Sequence, residues 1–120
     1  MRRGEVYRFN LDPTVGSEIK KARPCVVVMR DGSDASPVTI VCPITDANGR
    51  RGNLLNPSIA AGIAGTTKDS RVAVHQIRTL DKRRVVGDKL GDVPAPIMEQ
   101  VDQGLRAVLA LESAPGVSRQ

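Results

Sequence analysis

Two short apolar runs, at residues 25–29 and 38–44, constrain the fold of this chain more than any other feature. Both are rich in β-branched residues and are uninterrupted by charge. Runs of this kind are typical of strands that are buried on both faces. The residues between them, 30–37, are predicted to form a turn.

The alternation of short apolar runs and turn residues continues through the first three quarters of the chain. Residues 5–11 alternate between apolar and polar side chains, which predicts a half-buried first strand that ends at Asp12 and Pro13. The Asn48-Gly49 pair signals a turn. Further short strands are predicted at residues 71–74, 76–80 and 85–86, with at most one between residues 50 and 65.

The apolar period changes in the last quarter and predicts one amphipathic helix behind Pro94 and Pro96. The residues that recur at helical spacing are Ile97, Val101, Leu105, Val108 and Leu111 or Glu112. Residues 113–120 offer little to bury and are expected to be a flexible tail. We therefore predict a single, mainly β domain over residues 1–112, closed by a C-terminal helix, with a tail at 113–120.

The composition of the chain limits which binding partners are expected. The chain has 120 residues, with 18 Lys and Arg against 13 Asp and Glu, for a net charge of +5. This excess favours a polyanion such as nucleic acid, although a merely basic surface remains an equal interpretation of the charge alone. No apolar run approaches the roughly 20 residues of a membrane span, and the N-terminus lacks the apolar segment of a secretory signal. We expect a cytoplasmic protein that does not enter the membrane.

Several enzyme classes lack the residues that they need. His75 is the one histidine and no Gly-x-Ser-x-Gly motif accompanies it, so a serine hydrolase triad is not expected. Phosphate-binding and dinucleotide-binding glycine motifs are missing too. Cys25 and Cys42 lie inside apolar runs and are interpreted as buried thiols rather than a redox pair or zinc ligands. No metal or cofactor is predicted.

Polar residues that stand at the ends of predicted strands remain as candidates for a site. They are Ser17 and Glu18 in a polar loop, Arg23 before a buried strand, Thr45 after one, and His75 with Gln76 between two. Strand ends converge on one rim of a small barrel, so these side chains can form a single site. For any one of them alone, a solvated turn residue is the more common interpretation.

Five sequence blocks, taken together and in order, resemble the MazF/PemK toxins over about residues 3–112. The blocks are Arg3-Gly4-Glu5-Val6-Tyr7, Leu11-Asp12-Pro13-Thr14-Val15-Gly16-Ser17-Glu18, Lys21-Ala22-Arg23-Pro24, Cys42-Pro43-Ile44-Thr45 and Gln76-Ile77-Arg78-Thr79-Leu80-Asp81-Lys82-Arg83-Arg84. The resemblance implies a small SH3-like β-barrel of the CcdB/MazF plasmid maintenance toxin type. It also implies a homodimeric type II toxin, restrained by a MazE-like antitoxin, that cleaves single-stranded RNA and so inhibits translation and growth.

The resemblance places functional roles on Arg23 and Thr45, with Ser17 at an assisting loop position. Metal-independent cleavage fits this set, because the 2'-hydroxyl of the RNA can attack its own phosphate and leave 2',3'-cyclic phosphate and 5'-hydroxyl ends. Arg23, Thr45 and His75 are the predicted catalytic residues. Ser17, Glu18, Lys20, Lys21, Gln76 and Arg78 are the predicted RNA-binding residues.

Two departures from the family pattern bear on mechanism and specificity. Ile19, Lys20 and Lys21 replace the Gln and small residues that many relatives carry, which makes the loop more basic. His75 stands where relatives have a carboxylate, and it is either a proton-transfer group or a contact to RNA. The alternative function is a CcdB-like toxin that poisons a protein such as DNA gyrase without catalysis.

Overall fold

The computed structural model describes residues 1–111, within which seven strands form a curled sheet that is followed by a helix. The strands are β1 (Glu5–Asn10), β2 (Ala22–Val27), β3 (Val38–Asp46), β4 (Ser58–Ile59), β5 (Ser70–Val72), β6 (Arg78–Asp81) and β7 (Gly91–Asp92). The helix is α1 (Ala95–Val108), and two 3-10 turns cover Val74–Gln76 and Lys82–Arg84. The predicted mainly β fold with a C-terminal helix is confirmed, whereas the predicted tail at 113–120 lies outside the described residues.

Strand β3 organises the sheet, because three other strands pair with different parts of it. The sheet order is β4-β5-β3-β2-β1-β7, with β6 also on β3. The first part of β3 pairs with β6, its middle with β2, and its last three residues with β5, all antiparallel. The sheet therefore changes partners along this nine-residue strand, and the strands that carry the site meet at its C-terminal end.

The core consists of two aliphatic clusters on opposite faces of the sheet. One contains Val6, Val26 and Cys42 under α1, and the other contains Phe9 and Leu11. Val6 and Phe9 are both fully buried and point to opposite faces of β1. The prediction of a half-buried first strand is confirmed for residues 7–11, where Phe9 and Leu11 are buried and Asn10 is exposed, but Val6 on the other face is buried as well.

Helix α1 packs against the turn that carries His75. Gly104 makes this possible, since a Cβ at this position would lie 2.6 Å from the carbonyl oxygen of Leu54 and 3.3 Å from the side chain of Val74. The helix ends at Val108, so the apolar Leu111 falls beyond it and is exposed. Among residues 1–111, no helix has the length and apolar character to cross a membrane.

Two predictions about short strands have different outcomes. The single strand expected between residues 50 and 65 is confirmed as β4. The prediction of a strand at residues 85–86 is wrong, because Val85 makes only an isolated β-bridge to Phe9. The edge strand is instead β7, whose Gly91 and Asp92 have no apolar pattern to reveal it.

The two cysteines are buried and free, as the sequence predicts. They lie in the two different core clusters, Cys25 beside Phe9 and Cys42 beside Val6. Burial raises the pKa of each thiol to about 12. Both thiols are therefore protonated and unreactive at neutral pH.

Candidate active site

A cleft of about 560 Å³ opens where β2 begins, β3 ends and β5 passes into the Val74–Gln76 turn. Polar side chains from all these elements and from the loop between β1 and β2 line it. Six of the residues singled out from the sequence are in this lining: Ser17, Glu18, Lys20, Arg23, Thr45 and His75. The structure thus brings together residues that are up to 58 positions apart in the chain.

The register of β2 and β3 brings Arg23 and Thr45 to the same end and the same face of the sheet. Cys25 on β2 pairs with Pro43 on β3 in an antiparallel register. Two residues further along each strand, in the direction of the cleft, come Arg23 and Thr45, which keep the same face of the sheet. Both side chains accordingly line the cleft.

The polar groups of this pair are largely unengaged by the protein. The Nε of Arg23 donates to the carbonyl oxygen of Lys20 at 3.1 Å, which fixes the side chain. Within residues 1–111, its two terminal nitrogens and the hydroxyl of Thr45 make no hydrogen bond. A planar guanidinium with two open NH2 groups near a hydroxyl is suited to hold a phosphate.

The loop over the cleft is anchored by Gln76. Its Oε1 accepts from the amide of Ile19 at 2.7 Å, and its Nε2 donates to the carbonyl oxygen of Ser17 at 3.2 Å. A hydrogen bond of 2.9 Å, donated by the backbone amide of Leu11 to the carbonyl oxygen of Lys21, closes the loop at its base. The side-chain amide of Gln76 therefore positions the loop.

The remaining predicted RNA-binding residues lie outside the cleft. Lys21 is exposed and has a left-handed backbone with φ of 71°. Arg78 lines an adjacent groove of about 490 Å³ together with Gln76, and its Nη1 donates to the carbonyl oxygen of Leu11 at 3.3 Å. This groove shares Ser17 and His75 with the cleft, so the two depressions are continuous.

His75 lies at the edge that the cleft and the groove share. Its side chain is exposed, and the 3-10 turn that holds it follows directly from β5. The neighbouring Val74 is fully buried under α1, which fixes the turn in place. The imidazole can therefore contact a ligand that occupies the cleft or the adjacent groove.

Sequence reasoning missed several residues of the cleft. Arg71 is 93% buried, with 7% of its surface exposed, and lies directly opposite Thr45 in the β3–β5 register. Arg50 is exposed at the edge of the cleft, and Asp46 is paired with Lys68 at 3.6 Å. The available signal for Arg71 was a lone charge within the apolar run at residues 70–74.

The basic cluster at residues 82–84 is used to brace the fold. Lys82 donates to the carbonyl oxygens of Ser33 and Asp34 at 3.3 and 3.2 Å. Arg83 pairs with Asp81 at 3.0 Å. Arg84 donates to the carbonyl oxygens of Asn10 and Asp12 at 3.0 and 2.6 Å. None of the three lines the cleft.

Solved structures with the same fold include a MazF and an endoribonuclease. The chain matches MazF from Deinococcus radiodurans with a TM-score of 0.77 at 22% identity, covering 92% of this chain and 96% of that one. It matches an endoribonuclease in complex with its cognate antitoxin from Mycobacterial species with a TM-score of 0.75 at 23% identity, covering 95% and 99%. At these identities the structures establish the fold alone.

Comparison of the sequence with known proteins identifies the family of the chain as well as its fold. Endoribonuclease EndoA of Bacillus subtilis is 38% identical over 112 residues, which cover 92% of this chain and 96% of the relative. The model of the PemK-like, MazF-like toxins of type II toxin-antitoxin systems matches residues 2–109. The match takes in the cleft, both strands that hold Arg23 and Thr45, and the helix behind His75, and it shows that this chain belongs to that toxin family.

Proposed function

We propose that this protein is a toxin that cleaves single-stranded RNA in the cleft formed by Arg23, Thr45 and His75. The observation that carries the proposal is the pair of open guanidinium nitrogens of Arg23 beside the unengaged hydroxyl of Thr45. The curated relative EndoA and the mycobacterial structure are both named endoribonucleases. These names favour catalysis over the alternative of a CcdB-like toxin that only binds a protein target.

In the proposed reaction, the 2'-hydroxyl oxygen of one nucleotide attacks the adjacent phosphorus. The O2'–P bond forms and the P–O5' bond breaks, leaving a 2',3'-cyclic phosphate and a 5'-hydroxyl. One proton leaves the 2'-hydroxyl and one is delivered to the departing O5'. Arg23 stabilises the charge that develops on the nonbridging oxygens, and Thr45 donates a hydrogen bond to one of them.

The shape of the surface supports a strand of RNA as the substrate. The cleft continues on one side into the groove with Arg78, and on the other side into a depression of about 250 Å³ lined by Arg8 and Lys68. Arg23 and Thr45 line both the cleft and this last depression, so they lie where the two meet. We propose that the RNA follows this path in the cytoplasm, with bases recognised by hydrogen bonds, since the chain has few rings for stacking.

The proposed partners follow the same family. We expect a homodimer and a MazE-like antitoxin, in line with the mycobacterial structure that contains a cognate antitoxin. Cations such as Lys20 and Arg50 along the cleft favour an acidic antitoxin segment that covers the RNA path. Binding of this segment would keep RNA out of the cleft.

Purified protein incubated with a long single-stranded RNA in EDTA tests the function. We expect cleavage to persist, with 2',3'-cyclic phosphate on the 5' fragment. A strict requirement for Mg²⁺, or cleavage of an oligonucleotide that lacks the 2'-hydroxyl at the cut, would contradict the mechanism. Arg23→Ala is expected to lower the rate by about 10²- to 10³-fold, the usual effect of losing a charge-stabilising donor.

A further inference from the structure

Arg71 is a buried cation that the proposed reaction has not used. It is on β5, with 7% of its surface exposed, and it lines the cleft. Within residues 1–111, its guanidinium makes no hydrogen bond or ion pair. No fully buried side-chain nitrogen or oxygen in this part of the chain lacks a partner, so the guanidinium nitrogens must open toward the cleft.

The sheet register puts Arg71 next to the groups that are proposed to hold the phosphate. Arg71 pairs with Thr45 on β3 and with Ser58 on β4. Side chains of directly paired antiparallel residues share one face, with Cβ atoms about 4.5–5.5 Å apart. Thr45 therefore stands between Arg23 and Arg71, and a phosphate bonded to its hydroxyl lies within reach of both guanidinium groups.

The acidic residues of the cleft leave Arg71 without a counter-charge. Glu18 uses one carboxylate oxygen to accept from the amide of Val15 at 2.8 Å. Asp46 accepts from the amide of Asn48 at 3.0 Å and pairs with Lys68 at 3.6 Å. Removal of an unpaired guanidinium from water is unfavourable. An anionic ligand in the cleft would offset that cost.

We propose that Arg71 binds the scissile phosphate from the side opposite Arg23 and is a second charge-stabilising catalytic residue. This proposal rests on the proposed RNA cleavage and adds a residue to it. Two arginines that flank one phosphate can each contact a different nonbridging oxygen. The negative charge that builds up on these oxygens as the 2'-hydroxyl attacks is then neutralised from both sides.

Binding of a non-cleavable strand and cleavage of RNA are measured separately in the test. The wild-type protein first identifies a cut site, and a short RNA that contains it is also made with a 2'-deoxynucleotide at the cut. Arg71→Gln is compared with Arg30→Gln, which removes the same charge from an exposed site beyond the opposite end of β2. Thermal melting verifies the fold of each variant, and Arg71→Lys replaces Arg71→Gln where the latter is unfolded.

The two measurements have specific expected results. Binding of the non-cleavable strand is measured over a range of salt concentrations. Loss of one phosphate contact reduces the magnitude of the slope of log binding constant against log salt concentration by about 0.7. We expect this decrease for Arg71→Gln, together with a single-turnover rate lowered about 10²- to 10³-fold. Arg71→Lys should keep the slope but lose about tenfold in rate, because an ammonium group lacks the planar, fixed donor geometry of a guanidinium. Arg30→Gln should change neither.

The outcomes separate the two proposals. If wild-type protein cuts RNA and folded Arg71→Gln matches Arg30→Gln in both slope and rate, Arg71 has no role at the phosphate. A wild-type rate in Arg71→Lys would contradict a contact that depends on the guanidinium geometry of Arg71. If wild-type protein cuts no RNA, the proposed function fails, and the salt dependence of binding to an unmodified single-stranded RNA, compared between wild type and Arg71→Gln, still decides whether Arg71 contacts phosphate.

Discussion

At the scale of single residues, His75 is the side chain whose role has the most consequence for mechanism. It is exposed at the edge shared by the cleft and the adjacent groove, within a short turn that α1 holds in place. Imidazole is the side chain best suited to take up and release protons near neutral pH. The position therefore permits proton transfer as well as a simple contact to RNA.

A pH series on single-turnover cleavage distinguishes these roles. If His75 transfers a proton, the rate should show an inflection as the pH is varied. His75→Gln should then remove the inflection and lower the rate by about 10²- to 10⁴-fold. A variant that binds RNA less tightly but keeps both the inflection and the maximal rate would make His75 a contact residue.

Glu5 is the residue with the clearest effect on acid stability. Its carboxylate accepts from the amide of Arg2 at 2.7 Å and the hydroxyl of Tyr7 at 2.9 Å, and pairs with Lys89 at 3.1 Å. The hydrogen bond from Arg2 is the largest cause that lowers the pKa of Glu5 to about 2 from its usual 4.5, with Tyr7 and Lys89 adding to it and burial opposing it. Glu5 thus favours the folded state while it is ionised.

The sign of the pH effect follows from the lowered pKa. The stabilisation by Glu5 is complete above about pH 4.5 and is lost as the pH falls towards about 2. Urea unfolding of wild type and Glu5→Gln should therefore differ by roughly 2–3 kcal/mol at pH 6, and the difference should shrink across this window. A difference that is the same at pH 6 and pH 2.5 would show that ionisation of Glu5 does not matter.

Individual site residues could be predicted from the sequence where they follow a recognisable strand or match a family block. Arg23 and Thr45 were found in this way, and the structure places both in the cleft. Arg71 could not be found, because its neighbour Thr45 is 26 positions away and becomes adjacent only through the β3–β5 register. Lys21 was predicted to bind RNA because it is positively charged, but charge alone does not show which way a side chain points. The structure places it outside the cleft.

At the scale of elements, the loop between β1 and β2 is the part of the site that depends on another element for its position. Ile19 packs against the cluster around Phe9, and Gln76, which lines the adjacent groove, makes two hydrogen bonds to the backbone of the loop. The loop has no regular secondary structure of its own. Its position over the cleft therefore depends on these few contacts.

Gln76→Ala should loosen this loop without unfolding the protein. Loss of a hydrogen bond worth about 0.5–1.5 kcal/mol is expected to speed hydrogen exchange at the amide of Ile19 by about tenfold. Gln76→Glu is the matched control, because it keeps the acceptor for Ile19 and loses only the donor to Ser17. Unchanged exchange at Ile19 in Gln76→Ala would mean that packing alone holds the loop.

Elements with a strong apolar pattern were predicted well, and elements without one were not. The runs at residues 25–29 and 38–44 correspond to β2 and β3, and the helical period corresponds to α1. Strand β7 was missed because pairing with β1, and not its own side chains, defines it. The strand expected at residues 85–86 fails because the Lys82–Arg84 turn leaves Val85 with only a bridge to Phe9.

At the scale of the whole molecule, the excess of positive charge is divided between two uses. The cluster Lys82–Arg84 binds carbonyl and carboxylate groups of its own chain. In contrast, no ion pair within residues 1–111 engages Lys20, Arg50 or Arg71 along the cleft. The cleft therefore holds positive charge that is free to attract a polyanion.

An acidic antitoxin segment should compete with RNA for this charge. We expect the affinity of the toxin for its antitoxin to fall as salt rises, and a single-stranded RNA to displace a labelled antitoxin peptide. Light scattering at micromolar concentration should show a dimer of the free toxin. Antitoxin binding that is insensitive to salt and to RNA would place its docking surface elsewhere, and a purely monomeric mass would contradict the dimer.

The anchoring of the loop by Gln76 has an evolutionary consequence. Arg23, Thr45 and Arg71 are fixed by strand pairing, whereas Ser17, Glu18 and Lys20 belong to a segment tied down mainly through backbone groups. On the proposed function, substitutions in that segment would alter which bases are recognised while Gln76 still binds its backbone. Specificity and bond breaking are thereby open to separate selection, so a lineage can acquire a new target sequence and keep the same chemistry.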